Sequence, residues 1–466
     1  MDRKSVLYFA LGPIGSAAIS LITLPLITWY FSIEDVGRFS LLQTFTGFAT
    51  LVFCLGFDQA FVRSFYTSKL PRSLFLSAYV PPLILYASIV TVALYFSDAL
   101  DSLLFGESGT PELLQVLVVC CGLSFSVRFL SLILRVSERG LAYSISQMSP
   151  KLLFLLLVFI SVYYVNGNFM ALAISYMASL LVVFIVLLFN NRDFLFCSSG
   201  PYSYLLTKSM FAFGSPLIIS SVAFWGLTVS DKILIGRLSS LTELGVYSVA
   251  VSFAGAAIVL QSIFSTIWAP LIYRWIDKDN MAKDEVATHI NMMADLMLLI
   301  IVLGVSLAGS LSFVLDYILP EQYSQAKYVM LSCMCYPLFY TLSEVTVVGL
   351  HVKKRTIVSM LITLVSFIVN LFGNIILIPE FGAKGAALST AVSFWLFLFL
   401  RTEFSSRYYS KLQRIKLYFI TLLVVCLTTV NLFYGSAQVA CFSILWLAIG
   451  VVYLSLNYKT LAYLRR

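Results

Sequence analysis

The chain has 466 residues, 60% of them hydrophobic and only 11% charged, with a mean hydropathy of +0.95 and a formal net charge of +8. No water-soluble fold can hide that much apolar surface, so the excess must face lipid. Many apolar runs reach the roughly 20 residues needed to cross a hydrocarbon core about 30 Å thick. These features describe an all-α polytopic membrane protein, because a barrel would show short alternating segments instead.

The first run, 6–31, follows the basic start Met1-Asp2-Arg3-Lys4. It is too long for the apolar core of a signal peptide and no small-residue cleavage site follows, so it reads as an uncleaved first span. Spans 39–61, 74–96, 113–134, 141–165 and 169–189 come next. The fifth is interrupted by Pro150 and Lys151. A second set follows at 210–234, 245–272, 292–315, 328–350, 357–378 and 385–400. Spans 417–433 and 437–456 bring the expectation to about fourteen transmembrane helices. These last two share only the turn Tyr434-Gly435-Ser436 and should form a helix hairpin.

Charge placement sets the orientation. With the N-terminus inside, the cytoplasmic links carry most of the basic residues, among them Arg63, Arg72, Arg135, Arg139, Arg192, Lys208, Arg274, Arg355, Arg401, Arg407, Arg414 and Lys416. The opposite links hold only Arg38, Arg237, Lys327 and Lys384, and one of them is acidic through Asp98, Asp101, Glu107 and Glu112. This positive-inside bias puts both termini in the cytoplasm and accounts for the net charge without a nucleic-acid partner. No link is long enough for a soluble catalytic or nucleotide-binding domain. The eight cysteines follow neither a zinc spacing nor a disulfide framework, and His289 and His351 are the only histidines. No phosphate-binding glycine loop or His-Glu-x-x-His motif occurs, so neither a cofactor nor a metal is expected.

The chain repeats itself. Phe9-Ala10-Leu11-Gly12-Pro13 opens the first run, and Phe211-Ala212-Phe213-Gly214-Ser215-Pro216 opens the seventh. Each run ends in a polar turn, Ser32-Ile33-Glu34-Asp35-Val36-Gly37 and Leu241-Thr242-Glu243-Leu244-Gly245. Asn166-Gly167-Asn168-Phe169 and Phe381-Gly382-Ala383-Lys384-Gly385 are matching turns late in each half. Spans one to six and seven to twelve are therefore parallel halves, the way many transporters build a cavity. The expected organisation is an N-lobe over 1–200, a C-lobe over 201–402, and a C-terminal hairpin with a tail over 403–466.

These residues carry a family likeness. Gly12-Pro13 leads to Leu24-Pro25-Leu26-Ile27-Thr28-Trp29-Tyr30-Phe31-Ser32, and Gly56-Phe57-Asp58 precedes Phe61-Val62-Arg63-Ser64-Phe65-Tyr66. Asp231-Lys232 precedes the second polar turn, and Pro379-Glu380-Phe381-Gly382-Ala383-Lys384-Gly385 closes the half. In order and spacing the chain resembles the polysaccharide-transport flippases of the O-antigen (Wzx) type, in the MOP superfamily. The resemblance implies two MATE-like six-helix lobes in the bacterial inner membrane. It also implies movement of undecaprenyl-diphosphate-linked repeat units from the cytoplasmic to the periplasmic leaflet, beside a polysaccharide polymerase. No covalent chemistry is needed, so an enzyme is not expected. A MATE-type cation antiporter is the alternative. A membrane polymerase or ligase is disfavoured, because it should carry a substantial periplasmic loop.

A charge at a helix centre costs about 2.5–3.5 kcal/mol on insertion scales, so intramembrane charges should face an interior. Arg128, Lys232 and Arg63 are the candidate contacts for the diphosphate. Glu344, Asp58 and Asp231 are candidates for coupling H+ or Na+, or for gating. Arg128 and Glu344 lie at equivalent places in the two halves and are expected to pair when no cargo is bound. Lys151 reads as a snorkelling lysine, and Pro25 as a hinge. Trp225 and Trp395 read as lipid-facing or packing residues, with sugar stacking the alternative. The stripe Gly12, Ser16, Ser20 reads as a close helix contact.

Overall fold

The computed structural model describes residues 3–66, 70–97, 111–164, 168–197, 200–277, 283–353, 355–408 and 412–457. Met1 and Asp2, the acidic Asp98, Asp101 and Glu107, and Asn166-Gly167 of the first late turn lie outside these residues. Among the described residues every regular element is helical. The chain divides into two compact units, Met1–Trp225 and Gly226–Arg466.

The first unit contains α1 (Arg3–Tyr30), α2 (Ile33–Cys54), α3 (Phe57–Phe65), α4 (Pro71–Tyr95), α5 (Pro111–Val136), α6 (Gly140–Tyr164) and α7 (Phe169–Asn190). It also takes the first part of α8 (Tyr204–Leu238), whose remainder belongs to the second unit. α1 and α6 pack closely through small residues. A Cβ on Gly12 would meet Ser144 at 3.2 Å, and Ser16 Oγ donates to the Gln147 carbonyl at 3.0 Å. The small-residue stripe is thus a helix contact. α6 runs unbroken through Pro150, and α1 through Pro25.

The second unit continues with α9 (Leu241–Ala254), α10 (Ala256–Asp277), α11 (Lys283–Ser310), α12 (Leu315–Ile318), α13 (Ala326–Thr346) and α14 (Val348–Val352). The long α15 (Thr356–Tyr408), α16 (Arg414–Tyr434) and α17 (Val439–Leu456) complete it. A single 3-10 turn, Gly435–Ala437, joins the last two helices. α17 packs on α11: Trp446 is 2% exposed and lies over Gly309, where an added Cβ would meet its ring at 2.5 Å. Trp446 Nε1 also donates to Asn431 Oδ1 of α16 at 3.3 Å.

The repeated polar turns have one structural meaning. Ser32 caps α2 by accepting from Asp35 N, and Ser240 caps α9 by accepting from Glu243 N, each at 3.1 Å. Such caps satisfy amides that have no partner within the helix. Each capped helix then breaks. α2 and α3 meet at 54° through Leu55 (φ 47°) and Gly56 (φ 70°), and α9 and α10 bend by 45° after Ala254.

Among the described residues ten helices are long and apolar enough to cross a membrane, or up to twelve if each bent pair is one span. That count falls short of the fourteen expected. Two features account for the difference. α15, 53 residues in all, is counted once, although the non-helical Gly382 (φ 54°, ψ −129°) separates it into two helical limbs. α13 holds Lys327, Glu344 and several hydroxyl-bearing side chains, which lower its apolar character.

Candidate functional site

In the first unit the break at Leu55-Gly56 decides where charge goes. Gly56 crosses Gly214 so closely that an added Cβ would sit 2.6 Å from the Gly214 carbonyl oxygen. The motif Gly56-Phe57-Asp58 and the repeat opening Phe211–Gly214 therefore meet backbone to backbone. Asp58 falls in the first turn of α3 and is buried, at 7% exposed. Arg128 of α5 directs Nη2 to Asp58 Oδ2 at 2.8 Å and Nε to the same oxygen at 3.3 Å. The guanidinium side chain stays 47% exposed while the carboxylate is 9% exposed. The pair thus presents cation outward and hides its anion. Arg63, at the end of α3, lies over the Phe213 ring at 4.2 Å and is also exposed. A dense aromatic group braces this region, with Phe61, Phe75, Phe125 and Phe129 all buried.

In the second unit, Asp231 is 1% exposed and anchors a buried polar network. Tyr247 Oη and Thr390 Oγ1 each donate to Oδ2 at 2.5 Å, and Asn374 Nδ2 donates to Oδ1 at 2.6 Å. Asn374 Nδ2 also reaches Asn370 Oδ1 at 3.0 Å, to which Ser230 Oγ donates at 3.3 Å. Three donors on one carboxylate allow it to exist away from water. The side chains come from the end of α8, from α9 and from both limbs of α15. Asn374 Oδ1 is buried and has no hydrogen-bond partner in the structure. The network is rich in oxygen and leaves this one amide acceptor unused. Among the described residues no group of three or more His, Cys, Asp or Glu could hold a metal ion.

The other expected residues fall as follows. Lys232 is half-buried beside Asp231. Arg128 and Glu344, expected as mutual partners, are each paired within their own unit. Glu344 accepts from Arg401 Nη1 at 3.0 Å, and the same nitrogen donates to Ser343 Oγ at 2.9 Å. Arg401 was expected in a cytoplasmic link; it lies inside α15 and is 8% exposed, because Glu344 and the Phe397 ring at 4.8 Å receive it. Pro25 sits within the continuous α1. Trp225 packs on Phe48 at 4.6 Å, and Trp395 donates to Thr421 at 3.1 Å while stacking on Phe399. Both tryptophans pack within their units. Asn370, Asn374, Tyr247 and Thr390 escaped the sequence reading. The one available signal was two asparagines four apart inside an apolar run.

Residues 3–276 match the family model described as polysaccharide biosynthesis protein. The chain belongs to that family. A curated relative, the probable low-salt glycan biosynthesis flippase Agl15 of Haloferax volcanii, is 24% identical over 264 residues. That match covers 56% of this chain and about half the relative's length, 55%. Among solved structures, this polysaccharide biosynthesis family chain is similar to the lipid II flippase MurJ in an inward closed conformation. The TM-score is 0.73 with 16% identity, over 98% of this chain and 100% of that one. A multidrug resistance MATE family transporter of the MOP superfamily, inward-facing, gives 0.54 with 15% identity, over 86% of this chain and 94% of that one. The fold is thus MurJ- and MATE-like, and the protein is a multi-pass membrane protein.

Proposed function

We propose that this chain is a flippase for lipid-linked glycans. Its cargo is an undecaprenyl-diphosphate-linked oligosaccharide repeat unit, carried from the cytoplasmic to the periplasmic leaflet of the inner membrane by alternating access. The observation that carries this reading is the half-exposed side chain of Arg128, two turns inside the end of a membrane helix, in a chain of the polysaccharide biosynthesis family. A diphosphate crossing hydrocarbon needs a cation with directed N–H donors, and arginine supplies both. Arg63 and Lys232 are further cargo contacts. The flippase named among the relatives and the lipid II flippase fold support the same reading.

The Asp231 network is the seat of coupling to Na+ or H+. Asp58 and Glu344 act as gates through their arginine partners, and Pro25 flexes α1 as the cavity changes sides. Both termini are cytoplasmic, and a polysaccharide polymerase receives the product. The work is translocation without bond making, so no catalytic residue is assigned.

The test is reconstitution of the purified chain in liposomes with a fluorescent undecaprenyl-diphosphate oligosaccharide in one leaflet. Transbilayer movement above protein-free vesicles, lost in Arg128→Gln, is the expected result. Efflux of cationic dyes without lipid movement would instead identify a MATE-type antiporter.

A further inference from the structure

Lys151 has a setting that snorkelling does not explain. It lies eleven residues after Gly140 and thirteen before Tyr164 on α6. At about 1.5 Å per residue, it is roughly 16 Å and 20 Å from the two helix ends. An extended lysine side chain reaches only roughly 6 Å, so its ammonium cannot arrive at either headgroup layer. The side chain is not aimed that way. Its Nζ crosses to the Ser16 carbonyl of α1 at 3.3 Å. That carbonyl also lies mid-helix and already accepts from Ser20 Oγ at 2.9 Å. No carboxylate pairs with Lys151 among the described residues.

Lys151 is nevertheless exposed. The exposed apolar residues of α6 include Leu141, Ile145, Leu152, Leu156, Phe159 and Ile160. At 100° per residue they form a stripe centred roughly 120° around the helix from Lys151. That stripe is the lipid face, and the lysine is off it. On the lysine's own side, Ser144 and Val158 are buried at 1% and 0% exposed. The exposure is therefore a local notch between closed turns, at the depth where hydrocarbon is least tolerant of charge. An ammonium has three donors, and one is used on Ser16.

We propose that Lys151 is a mid-membrane anion-binding residue in an aqueous notch, and that its ligand is the phosphate of a polyprenyl-diphosphate cargo. The proposal rests on the flippase reading and adds a cation to the path beyond Arg128. An uncompensated ammonium at this depth needs a counter-anion, and the translocated headgroup is the anion that passes. Two free donors suit two phosphate oxygens.

The experiment uses the full chain in lipid nanodiscs, with farnesyl diphosphate as probe and farnesol as its uncharged control. Lys151→Cys is exposed to a membrane-impermeant anionic thiol reagent, and labelling is measured above that of the wild type's eight cysteines. Labelling above the wild type is the expected result. In parallel, Lys151→Gln should weaken farnesyl diphosphate binding at least tenfold, the loss of one charge-assisted hydrogen bond. Lys151→Arg should stay within about threefold, because the charge remains. Absence of labelling overturns the proposal, since the residue then faces lipid or protein. Unchanged binding by a folded Lys151→Gln, with wild type binding the diphosphate, overturns the role of Lys151 alone and leaves the flippase reading intact. Failure of the wild type to bind any polyprenyl diphosphate overturns both.

Discussion

Arg128 turns two nitrogens onto a single oxygen of Asp58, at 2.8 and 3.3 Å, while its side chain as a whole stays half-exposed. A phosphate arriving at Arg128 must compete with a carboxylate already in place. Asp58 holds the arginine in position, and in the proposed flippase it would also set a threshold for cargo release. Arg128→Gln should lower polyprenyl-diphosphate affinity about 10- to 100-fold, the worth of a hydrogen bond to a charged group. Asp58→Asn should do the reverse for binding, raising affinity several-fold, while slowing turnover because release is no longer assisted. Equilibrium binding and single-cycle flipping, measured on the same preparations, separate the two effects. Weaker binding in Asp58→Asn would show that the carboxylate only orients the arginine.

The Asp231 network leads to a prediction about ions. Wild-type protein should gain thermal stability when NaCl replaces choline chloride, because a ligand that binds only the folded state stabilises it by mass action. Asp231→Asn should abolish that gain, and with it any dependence of transport on the sodium gradient. Asn374→Ala should weaken the sodium effect without removing it, since it deletes the orphaned Oδ1 and leaves the carboxylate. If stability follows pH and ignores sodium, the coupling ion is a proton.

Fold class was legible because composition and run length leave no soluble alternative, and the two polar turns were legible as equivalents because each is a helix cap. The span count turns on α15, whose two helical limbs are separated by the non-helical Gly382. Asp58, Asp231, Arg128 and Glu344 stood out as charges in apolar runs. Their partners did not. Arg128 meets Asp58 across 70 positions, and Asp231 meets Thr390 across 159, so pairing depends on packing that no local pattern encodes. The expected Arg128–Glu344 pair came from symmetry of position. Each side chain has an opposite charge within its own unit, and a close partner offsets the cost of taking a charge out of water. Asn370 and Asn374 were passed over because neutral amides leave no trace in a charge map.

Glu344 and Arg401 form a mostly buried ion pair at 3.0 Å, with side chains 14% and 10% exposed. Removing one partner leaves an uncompensated charge, so Glu344→Gln and Arg401→Gln should each destabilise by on the order of 3 kcal/mol. The double variant should recover a large part of that loss in thermal unfolding. Transport by the recovered double variant decides the role of Glu344. Near-normal flipping makes the pair structural, and stable protein without flipping makes it the gate.

The second limb of α15 begins at a capped break. Gly382 adopts φ 54° and ψ −129°, a region essentially reserved for glycine. The carboxylate of Glu243 accepts from Ala383 N at 2.9 Å, which ties the second polar turn of the repeat to the restart of the helix. A Cβ at Gly382 would fall 2.6 Å from Glu243 Oε2, so backbone and cap object to it together. Gly382→Ala should therefore cost more than about 1–3 kcal/mol, the strain of the backbone alone, and lower the yield of folded protein. Glu243→Gln should cost less, because the amide oxygen still accepts from Ala383 and only the charge of the cap is lost; about 0.5–1 kcal/mol is expected. Glu243→Ala should fall between them, near the cost of a deleted helix cap, about 1 kcal/mol. Thermal unfolding of the three variants in one detergent gives the order directly. A Gly382→Ala protein as stable as Glu243→Gln would mean that the limb can restart without the glycine, and that the two limbs of α15 are held by packing alone.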